Sequence, residues 1–188
     1  MSGGVRARRL DHEWTYVARL VEHNPGVLEA VQRERQPDAD LFRVVLHRTA
    51  ALSLGQPRAI LTTHEVAFRY PEYYPSVPIE AFLAQPVFHP NVHPETGFVC
   101  LWNRHSAGDT ILEAVRQLQR VITWELKNDN AEHLMQPDAL RWVPVVALPL
   151  EYEPVLVPVE LQLERTYARK PETGRRRRRR LSRDQESR

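Results

Sequence analysis

Apolar residues recur at helical spacing near the beginning of the chain. Four of them are separated by three or four positions, with charged residues between them: Leu10, Trp14, Val17 and Val21. This spacing predicts an amphipathic helix with one buried face. We expect the helix to end in the stretch His23-Asn24-Pro25-Gly26, because proline and glycine are typical of helix termini and turns.

The next part of the chain has the pattern of a β-sheet. Four apolar runs are predicted as strands, at 27–34, 41–46, 64–70 and 79–88. In the third run, Val66, Phe68 and Tyr70 alternate with other residues, which is the two-residue period of a half-buried strand. Turn-forming residues, Pro37-Asp38 and Gly55-Gln56-Pro57, separate the first three runs. The sequence therefore predicts a four-stranded antiparallel meander.

A second helix is predicted after residue 100. Thr110 and Glu113 have the spacing of a capping box, in which each side chain bonds a backbone N–H of the first turn. Four residues form the apolar face behind it: Ile111, Val115, Leu118 and Ile122. A further short helix is predicted within 130–142, interrupted at Pro137. Helices that flank an antiparallel sheet in this order predict an α+β fold.

Proline dominates the region after residue 142. It occurs at 144, 149, 154 and 158, a frequency that excludes a helix or a central strand. We therefore predict a domain at 1–142 and a proline-rich extended arm at 143–163, which is apolar enough to pack on the domain or on a partner. Residues 164–188 are predicted to be a disordered tail, which includes the consecutive arginines Arg175–Arg180.

The composition is that of an ordinary globular protein, with 42% hydrophobic and 27% charged residues. No apolar run reaches about eighteen residues, so no membrane span is predicted. The N-terminus lacks the apolar segment of a secretory signal. The single cysteine excludes an internal disulfide and fits a reducing compartment, so we expect a cytoplasmic protein.

Charge is distributed unevenly along the chain. Residues 165–188 contain eleven Lys or Arg and three Asp or Glu, which leaves fifteen basic and twenty-one acidic residues before them. The tail is therefore strongly basic and the body acidic. A non-specific, salt-sensitive contact with nucleic acid is one role open to such a tail. Lysine occurs only at Lys127 and Lys170, so nearly all basic residues are arginine.

The only cysteine, Cys100, follows a turn rich in proline. A strand-like run ends at His89-Pro90-Asn91, the chain turns at Pro94-Glu95-Thr96-Gly97, and Phe98-Val99 lead into the thiol. A lone cysteine is either a buried apolar residue or a nucleophile. Its position beside a proline-bounded turn favours the nucleophile, which acts as the thiolate.

Residues 66–101 resemble the signature of the ubiquitin-conjugating (E2) family. The motifs occur in the family's order: Tyr70-Pro71, Tyr74-Pro75 with Pro78, His89-Pro90-Asn91, Gly97 and Cys100-Leu101. The predicted order of helix, four strands, active-site segment and helix also resembles that of the family. The resemblance implies a UBC-like fold over roughly residues 6–142.

Members of this family accept a ubiquitin-like protein from an activating enzyme as a thioester and pass it to an amine. The resemblance implies that Cys100 is the nucleophile and that Asn91 is catalytic, either by stabilising the oxyanion or by bracing its loop. It implies a supporting role for His89, which holds the turn by hydrogen bonds. The implied partners are an E1-like activating enzyme, a ubiquitin-like protein and a protein target. No cofactor, metal or membrane is implied.

Three features depart from the family's pattern. Asn91 and Cys100 are nine positions apart, one more than is usual in eukaryotic members. Trp102 stands where the family usually has an acidic residue. The acidic residue that orients the incoming amine has only Asp129 as a candidate. With the arginine-rich composition, these departures resemble bacterial E2-like proteins of ubiquitin-like conjugation operons, several of which are linked to antiphage defence.

Other interpretations of these residues stay open. Cys100 could be inert in a buried strand. It could instead belong to a zinc site with His89, His93 and His105, or form a hydrolytic dyad with His105. The domain could also be a non-catalytic UBC-fold scaffold that binds a ubiquitin-like protein or a partner enzyme, although such scaffolds usually lack the cysteine. The basic tail alone would support a nucleic-acid-binding protein.

Overall fold

A computed structural model describes residues 4–142, 144, 146–159 and 161. Helix α1 (Val5–His23) is followed by strands β1 (Leu28–Arg35), β2 (Ala39–Leu52), β3 (Ile60–Pro71), β4 (Glu80–Leu83) and β5 (Phe98–Val99). Helix α2 (Ile111–Ile122), a 3₁₀ turn (Ala131–His133) and helix α3 (Pro137–Arg141) come next. The predicted tail at 164–188, with Arg175–Arg180, lies outside the described residues.

The five strands form one antiparallel sheet in sequential order, β1-β2-β3-β4-β5. The predicted α+β class with an N-terminal helix and an antiparallel sheet is confirmed. The prediction of four strands is wrong, because the two-residue strand β5 pairs with β4. None of the helices in the described part of the chain is both long and apolar enough to cross a bilayer.

The run at 79–88 was expected to be one long fourth strand, and the additional strand β5 lies ten residues beyond its end. Only Glu80–Leu83 of that run is a strand. Pro86 follows soon after and has no N–H to donate to a ladder. The chain then turns back, and Phe98 and Val99 pair with the strand it has just left. A two-residue strand has too short a pattern to be distinguished from a turn in the sequence.

Helix α2 begins where the capping box predicts, and α1 helps to fix it. The Thr110 N–H donates to the Glu113 carboxylate at 2.9 Å. Glu13 of α1 is 1% exposed and accepts a hydrogen bond of 2.9 Å from the Ile111 N–H. The Tyr74 hydroxyl donates to the same carboxylate at 3.0 Å. A carboxylate at a helix N-terminus satisfies unpaired N–H groups and complements the helix dipole.

Helix α3 begins at Pro137, which was expected to interrupt a helix. Proline suits the first position of a helix because its fixed φ is already helical and no N–H is needed there. The helix therefore starts at the proline.

Up to Leu156, the described part of the proline-rich arm packs on the domain. The Ala50 N–H of β2 donates to the Glu151 carbonyl at 2.9 Å, and the Glu153 N–H donates to the Arg48 carbonyl at 2.9 Å. Val155 is fully buried. The chain up to Leu156 forms one compact unit, so this part of the arm covers its own domain.

Candidate active site

Cys100 lies at the end of a short hairpin, which we call the turn segment (residues 89–100). Backbone bonds close this hairpin. The Cys100 N–H donates to the Asn91 carbonyl at 2.9 Å, and the His93 N–H donates to the Phe98 carbonyl at 2.8 Å. The eight residues between Asn91 and Cys100 therefore fold back on themselves, and Asn91 and Cys100 are hydrogen-bonded neighbours.

The close approach of this hairpin to the sheet depends on Gly97. Its φ of +71° lies in the left-handed region, which side chains other than glycine rarely adopt. A Cβ atom here would collide with the Leu83 carbonyl of β4. The Gly97 carbonyl instead accepts a hydrogen bond of 2.9 Å from the Leu83 N–H. Glycine thus allows β5 to pair with β4 and to place Cys100 beside the sheet.

The Cys100 side chain is half-buried and opens into a cleft of about 40 Å³. This volume is sufficient for about one water molecule. Five polar residues are among those that line it: Asn91, Asn103, Gln117, Lys127 and Asn128. Burial raises the pKa of the Cys100 thiol above its usual 9.0, and a hydrogen bond from the Trp102 backbone acts in the opposite direction. The thiol therefore keeps its proton at neutral pH.

The thiol has a histidine partner that the sequence did not indicate. Cys100 Sγ lies 3.0 Å from His133 Nδ1. His133 is the last residue of the 3₁₀ turn and belongs to a stretch that we call the histidine segment (residues 128–135). The S–H of Cys100 can donate to Nδ1 when the imidazole carries its own proton on Nε2.

The Asn91 side chain holds the histidine segment in place. Asn91 is 1% exposed, and its Nδ2 donates to the carbonyls of Asn128 at 2.7 Å and His133 at 3.0 Å. Its Oδ1 accepts a hydrogen bond of 2.7 Å from the Asn128 N–H. Both amide hydrogens are therefore in use. Of the two roles expected for Asn91, the geometry is that of bracing a loop.

Further contacts hold the other end of the histidine segment. The Pro90 carbonyl accepts from the N–H groups of Met135 at 2.8 Å and Gln136 at 3.2 Å. The Gln136 side chain reaches back, and its Nε2 donates to the carbonyls of Val87 at 2.9 Å and Val92 at 2.8 Å. The start of the turn segment is thus the surface to which the histidine segment is bonded.

His89 supports the turn segment from the inside. Its ring is fully buried, and Nδ1 accepts a hydrogen bond of 3.2 Å from the Asn91 N–H. The ring packs edge-on against Trp124, with 4.9 Å between the ring centroids. Burial lowers the pKa of His89 to about 3, so the ring is neutral at physiological pH. Its position is that of a buried support for the Asn91 backbone.

The two other histidines considered with Cys100 have different partners. His93 accepts hydrogen bonds of 3.2 Å from two backbone N–H groups of its own turn. His105 Nε2 donates to the Pro75 carbonyl at 2.9 Å. The dyad with His105 is therefore not formed, and His133 occupies that place. Within the described ranges, no group of three or more His, Cys, Asp or Glu residues is arranged to hold a metal ion.

Two residues that depart from the family's sequence pattern, Asp129 and Trp102, differ in burial. Asp129, the candidate for orienting an amine, is exposed in the histidine segment. Trp102 is partly buried, and its Nε1–H donates to the Ile79 carbonyl at 2.7 Å. Trp102 therefore anchors the chain just beyond Cys100.

Sequence reasoning missed His133 because no local pattern relates it to Cys100. The nearest signal is the asparagine-rich stretch that precedes it. There the Asn128 side chain accepts from the Asn130 N–H at 3.0 Å, and Asn130 accepts from the Glu132 N–H at 3.4 Å. Asparagine side chains that bond the backbone two residues on favour a turn, but they do not indicate what the turn faces.

No protein-family model matches the chain, and no curated protein matches it either. The functional argument therefore depends on the geometry of the Cys100 site and on the motifs around it.

Proposed function

We propose that this protein is an E2-like conjugating enzyme. It carries a ubiquitin-like protein as a thioester on Cys100 and transfers it to an amine of a protein target. The observation that carries the proposal is the half-buried Cys100, which lines a cleft at the end of the turn segment. The antiparallel meander with its preceding helix supports a divergent UBC-like fold, in which β5 extends the four expected strands.

Thioester carriage makes particular demands that the cleft can meet. Exchange of one thioester for another is nearly balanced in free energy, so the site must chiefly present an accessible sulfur. Aminolysis requires in addition that the amine is held near the thioester and that the oxyanion is stabilised. Asn103 and Gln117 line the cleft with side-chain amides that can donate hydrogen bonds there.

The proposed partners are an E1-like activating enzyme, a ubiquitin-like protein and a protein target. The proposed setting is the bacterial cytoplasm, within a conjugation operon of the antiphage type. The longer spacing between Asn91 and Cys100 is compatible with this assignment, because the hairpin absorbs it and keeps the two residues bonded. Neighbouring genes for an activating enzyme, a ubiquitin-like protein and an isopeptidase are the expected genomic finding.

Reconstitution tests the proposal directly. The protein is incubated with the cognate activating enzyme, its ubiquitin-like protein and ATP, and the products are separated with and without reducing agent. We expect a reducible adduct that is lost in Cys100→Ala and becomes resistant to reduction in Cys100→Lys, where an amide replaces the thioester. Absence of any adduct with an activating enzyme that is proven to charge another carrier would favour the non-catalytic scaffold.

The contact between Cys100 and His133 favours a second candidate, a thiol hydrolase. A cysteine beside a histidine is the arrangement that thiol hydrolases use to form an acyl-enzyme, which water then cleaves. The two candidates differ in the fate of the acyl group. A carrier delivers it to an amine, whereas a hydrolase releases a free carboxylate.

A further inference from the structure

We propose that His133 is the catalytic base of the Cys100 site and that Asn91 positions it. The inference rests on the proposed function for the identity of the acyl group. The contact between sulfur and imidazole does not depend on that identity. The family resemblance implied a nucleophile and an asparagine but no base, so this assignment adds a proton acceptor to the site.

The first requirement is removal of the thiol proton. Cys100 Sγ and His133 Nδ1 are 3.0 Å apart, so the proton can pass along an existing hydrogen bond. The half-buried thiol keeps its proton at neutral pH, and only the thiolate is nucleophilic. A base in contact with the sulfur therefore removes the main obstacle to acylation.

In the acylation step, Cys100 and His133 together account for the one proton that moves. Cys100 gives its proton to His133 as the sulfur attacks the thioester carbon presented by the activating enzyme. A bond forms between Cys100 Sγ and that carbon, and the bond from the carbon to the sulfur of the activating enzyme breaks. His133 then returns the proton to the departing thiolate and becomes neutral again.

Transfer to the target uses the same ring. The neutral amine attacks the thioester carbon, and His133 takes a proton from the nitrogen as the C–N bond forms. The C–S bond to Cys100 breaks, and His133 protonates the departing Cys100 thiolate. Each half-reaction thus moves one proton through one imidazole, and no oxidant, reductant or metal takes part.

Backbone hydrogen bonds hold His133 for this role. Its carbonyl accepts from Asn91 Nδ2 at 3.0 Å, and its N–H donates to the Asn130 carbonyl at 2.9 Å. The residues before it in the histidine segment are exposed or half-buried, so apolar packing fixes them little. Since Asn91 uses both amide hydrogens on this segment, it influences the reaction through His133 and does not contact an oxyanion in this arrangement.

A small acyl donor tests the base without a protein partner. p-Nitrophenyl acetate acetylates Cys100 of the full-length protein and releases nitrophenolate, and added glycinamide then removes the acetyl group. Absorbance and intact mass follow the two steps, and peptide mapping checks that Lys127 in the cleft does not capture the acetyl group. His133→Asn retains a hydrogen-bonding atom near the position of Nδ1 but cannot accept the proton. We expect it to slow both steps by about 100-fold.

Two control variants separate proton transfer from structural support. His133→Ala should regain about tenfold in rate with added imidazole, which can enter the vacated space and accept the proton. His105→Ala removes a histidine that bonds a carbonyl and not the sulfur, and it should react at the wild-type rate. Wild-type rates in His133→Asn, an equal loss in His105→Ala, or no acceleration by imidazole would each overturn the proposal.

A double-mutant cycle tests the positioning role of Asn91. If Asn91 acts through His133, Asn91→Ala slows the reaction alone but changes the rate of His133→Asn by less than about twofold. Losses that multiply would instead assign Asn91 an independent role at the oxyanion. Asn91→Asp, which keeps an acceptor for the Asn128 N–H, provides the same comparison should the alanine variant fail to fold.

Failure of this inference and failure of the proposed function give different results. The acetyl assay contains no ubiquitin-like protein. If the acetylation rate depends on His133 as expected but no activating enzyme charges Cys100, His133 is supported as the base and the thioester-carrier function is refuted. If an activating enzyme charges Cys100 but the acetylation rate is unchanged in His133→Asn, the thioester-carrier function is supported and the role of His133 as base is refuted.

Discussion

The two segments that meet at Cys100 are built in different ways. The turn segment is part of the core, and four of its residues expose 1% of their surface or less: His89, Asn91, Val92 and Val99. The histidine segment has eight residues, all of them described, and each is exposed or half-buried. One segment is thus fixed by burial and pairing with the sheet, and the other by hydrogen bonds to the first.

Because of this difference, the nucleophile and the histidine beside it are held in place by different interactions. The sulfur is placed by β5 and the turn segment, which the sheet stabilises directly. The imidazole is placed by the Asn91 amide and the Pro90 carbonyl, which hold the two ends of the histidine segment. We therefore expect changes in the turn segment to act first on stability, and changes in the histidine segment to act first on reactivity.

The largest effect on stability is expected for Gly97→Ala in the turn segment. The substitution places a side chain at a φ of +71° and forces a Cβ atom against the Leu83 carbonyl. We expect the free energy of unfolding to fall by about 3 kcal/mol, measured by chemical denaturation.

Gly108→Ala is the matched control for this variant. Its φ is not in the left-handed region, and the atom nearest to an added Cβ is Ser106 Oγ at 3.5 Å. The expected change is within about 0.5 kcal/mol. Similar losses in the two alanine variants would show that the turn segment does not depend on the close approach to β4.

The next largest effect is expected at Gln136, which directly follows the histidine segment and whose side chain bonds one carbonyl just before the turn segment and one within it. Gln136→Ala leaves the buried carbonyls of Val87 and Val92 without their donor. We expect a loss of about 2 kcal/mol in the free energy of unfolding. Acetylation of Cys100 by p-nitrophenyl acetate should also slow, because the histidine segment loses an anchor. Exposed Gln36 supplies the control, and Gln36→Ala should change neither quantity.

A smaller effect concerns the pH dependence that buried His89 gives to the turn segment. Burial lowers its pKa from an ordinary 6.5 to about 3 in the folded protein. The unfolded chain therefore binds a proton below pH 6.5 that the folded protein does not bind. The stability contributed above pH 6.5 is lost as the pH falls toward 3.

The measurement is chemical denaturation of wild type and His89→Gln at several pH values. Between pH 6.5 and 5.5, the free energy of unfolding of the wild type should fall by about 1 kcal/mol more than that of the variant. Burial also lowers the pKa of His64. Its contribution to the pH dependence of the free energy of unfolding therefore has the same sign in wild type and in His89→Gln. Exposed His12 is the control, since His12→Gln should keep the wild-type slope. If the free energy of unfolding of His89→Gln changed with pH as steeply as that of the wild type, buried His89 would not be the source of the pH dependence.

The smallest effect is expected for exposed Asp129 in the histidine segment. Asp129→Asn removes a surface charge that can attract a cationic amine, and such attractions are weak and screened by salt. We expect discharge of acetyl-Cys100 by glycinamide to slow by about twofold at low salt, with acetylation itself unchanged. A loss as large as that of His133→Asn would make Asp129 a main determinant of the reaction.

The comparison of the two segments also explains what the sequence could predict. Helix α1 has apolar residues every three or four positions, α2 has a capping box, and the first three strands are marked by apolar runs. These local patterns predict the elements that the structure contains, whereas the number of strands and the extent of the fourth strand were predicted wrongly. The position of Cys100 after a glycine turn was equally visible. Strand β5 was missed because two residues carry no period.

His133 was missed for a different reason. It lies 33 positions after Cys100, in a polar stretch without periodicity. Its place is determined by the Asn91 side chain, whose partners are backbone carbonyls. Any residue has a carbonyl, so no side-chain pattern marks the partners of such a bond, and only the folded backbone reveals them.

The most direct test of the central claim is the fate of one ubiquitin-like protein bound to Cys100. The charged protein is separated from ATP and the activating enzyme, glycinamide is added at increasing concentrations, and intact mass identifies the products. We predict an amide of the ubiquitin-like protein whose rate of formation rises with the amine concentration. Release of only the free carboxylate, at a rate independent of the amine, would contradict the account.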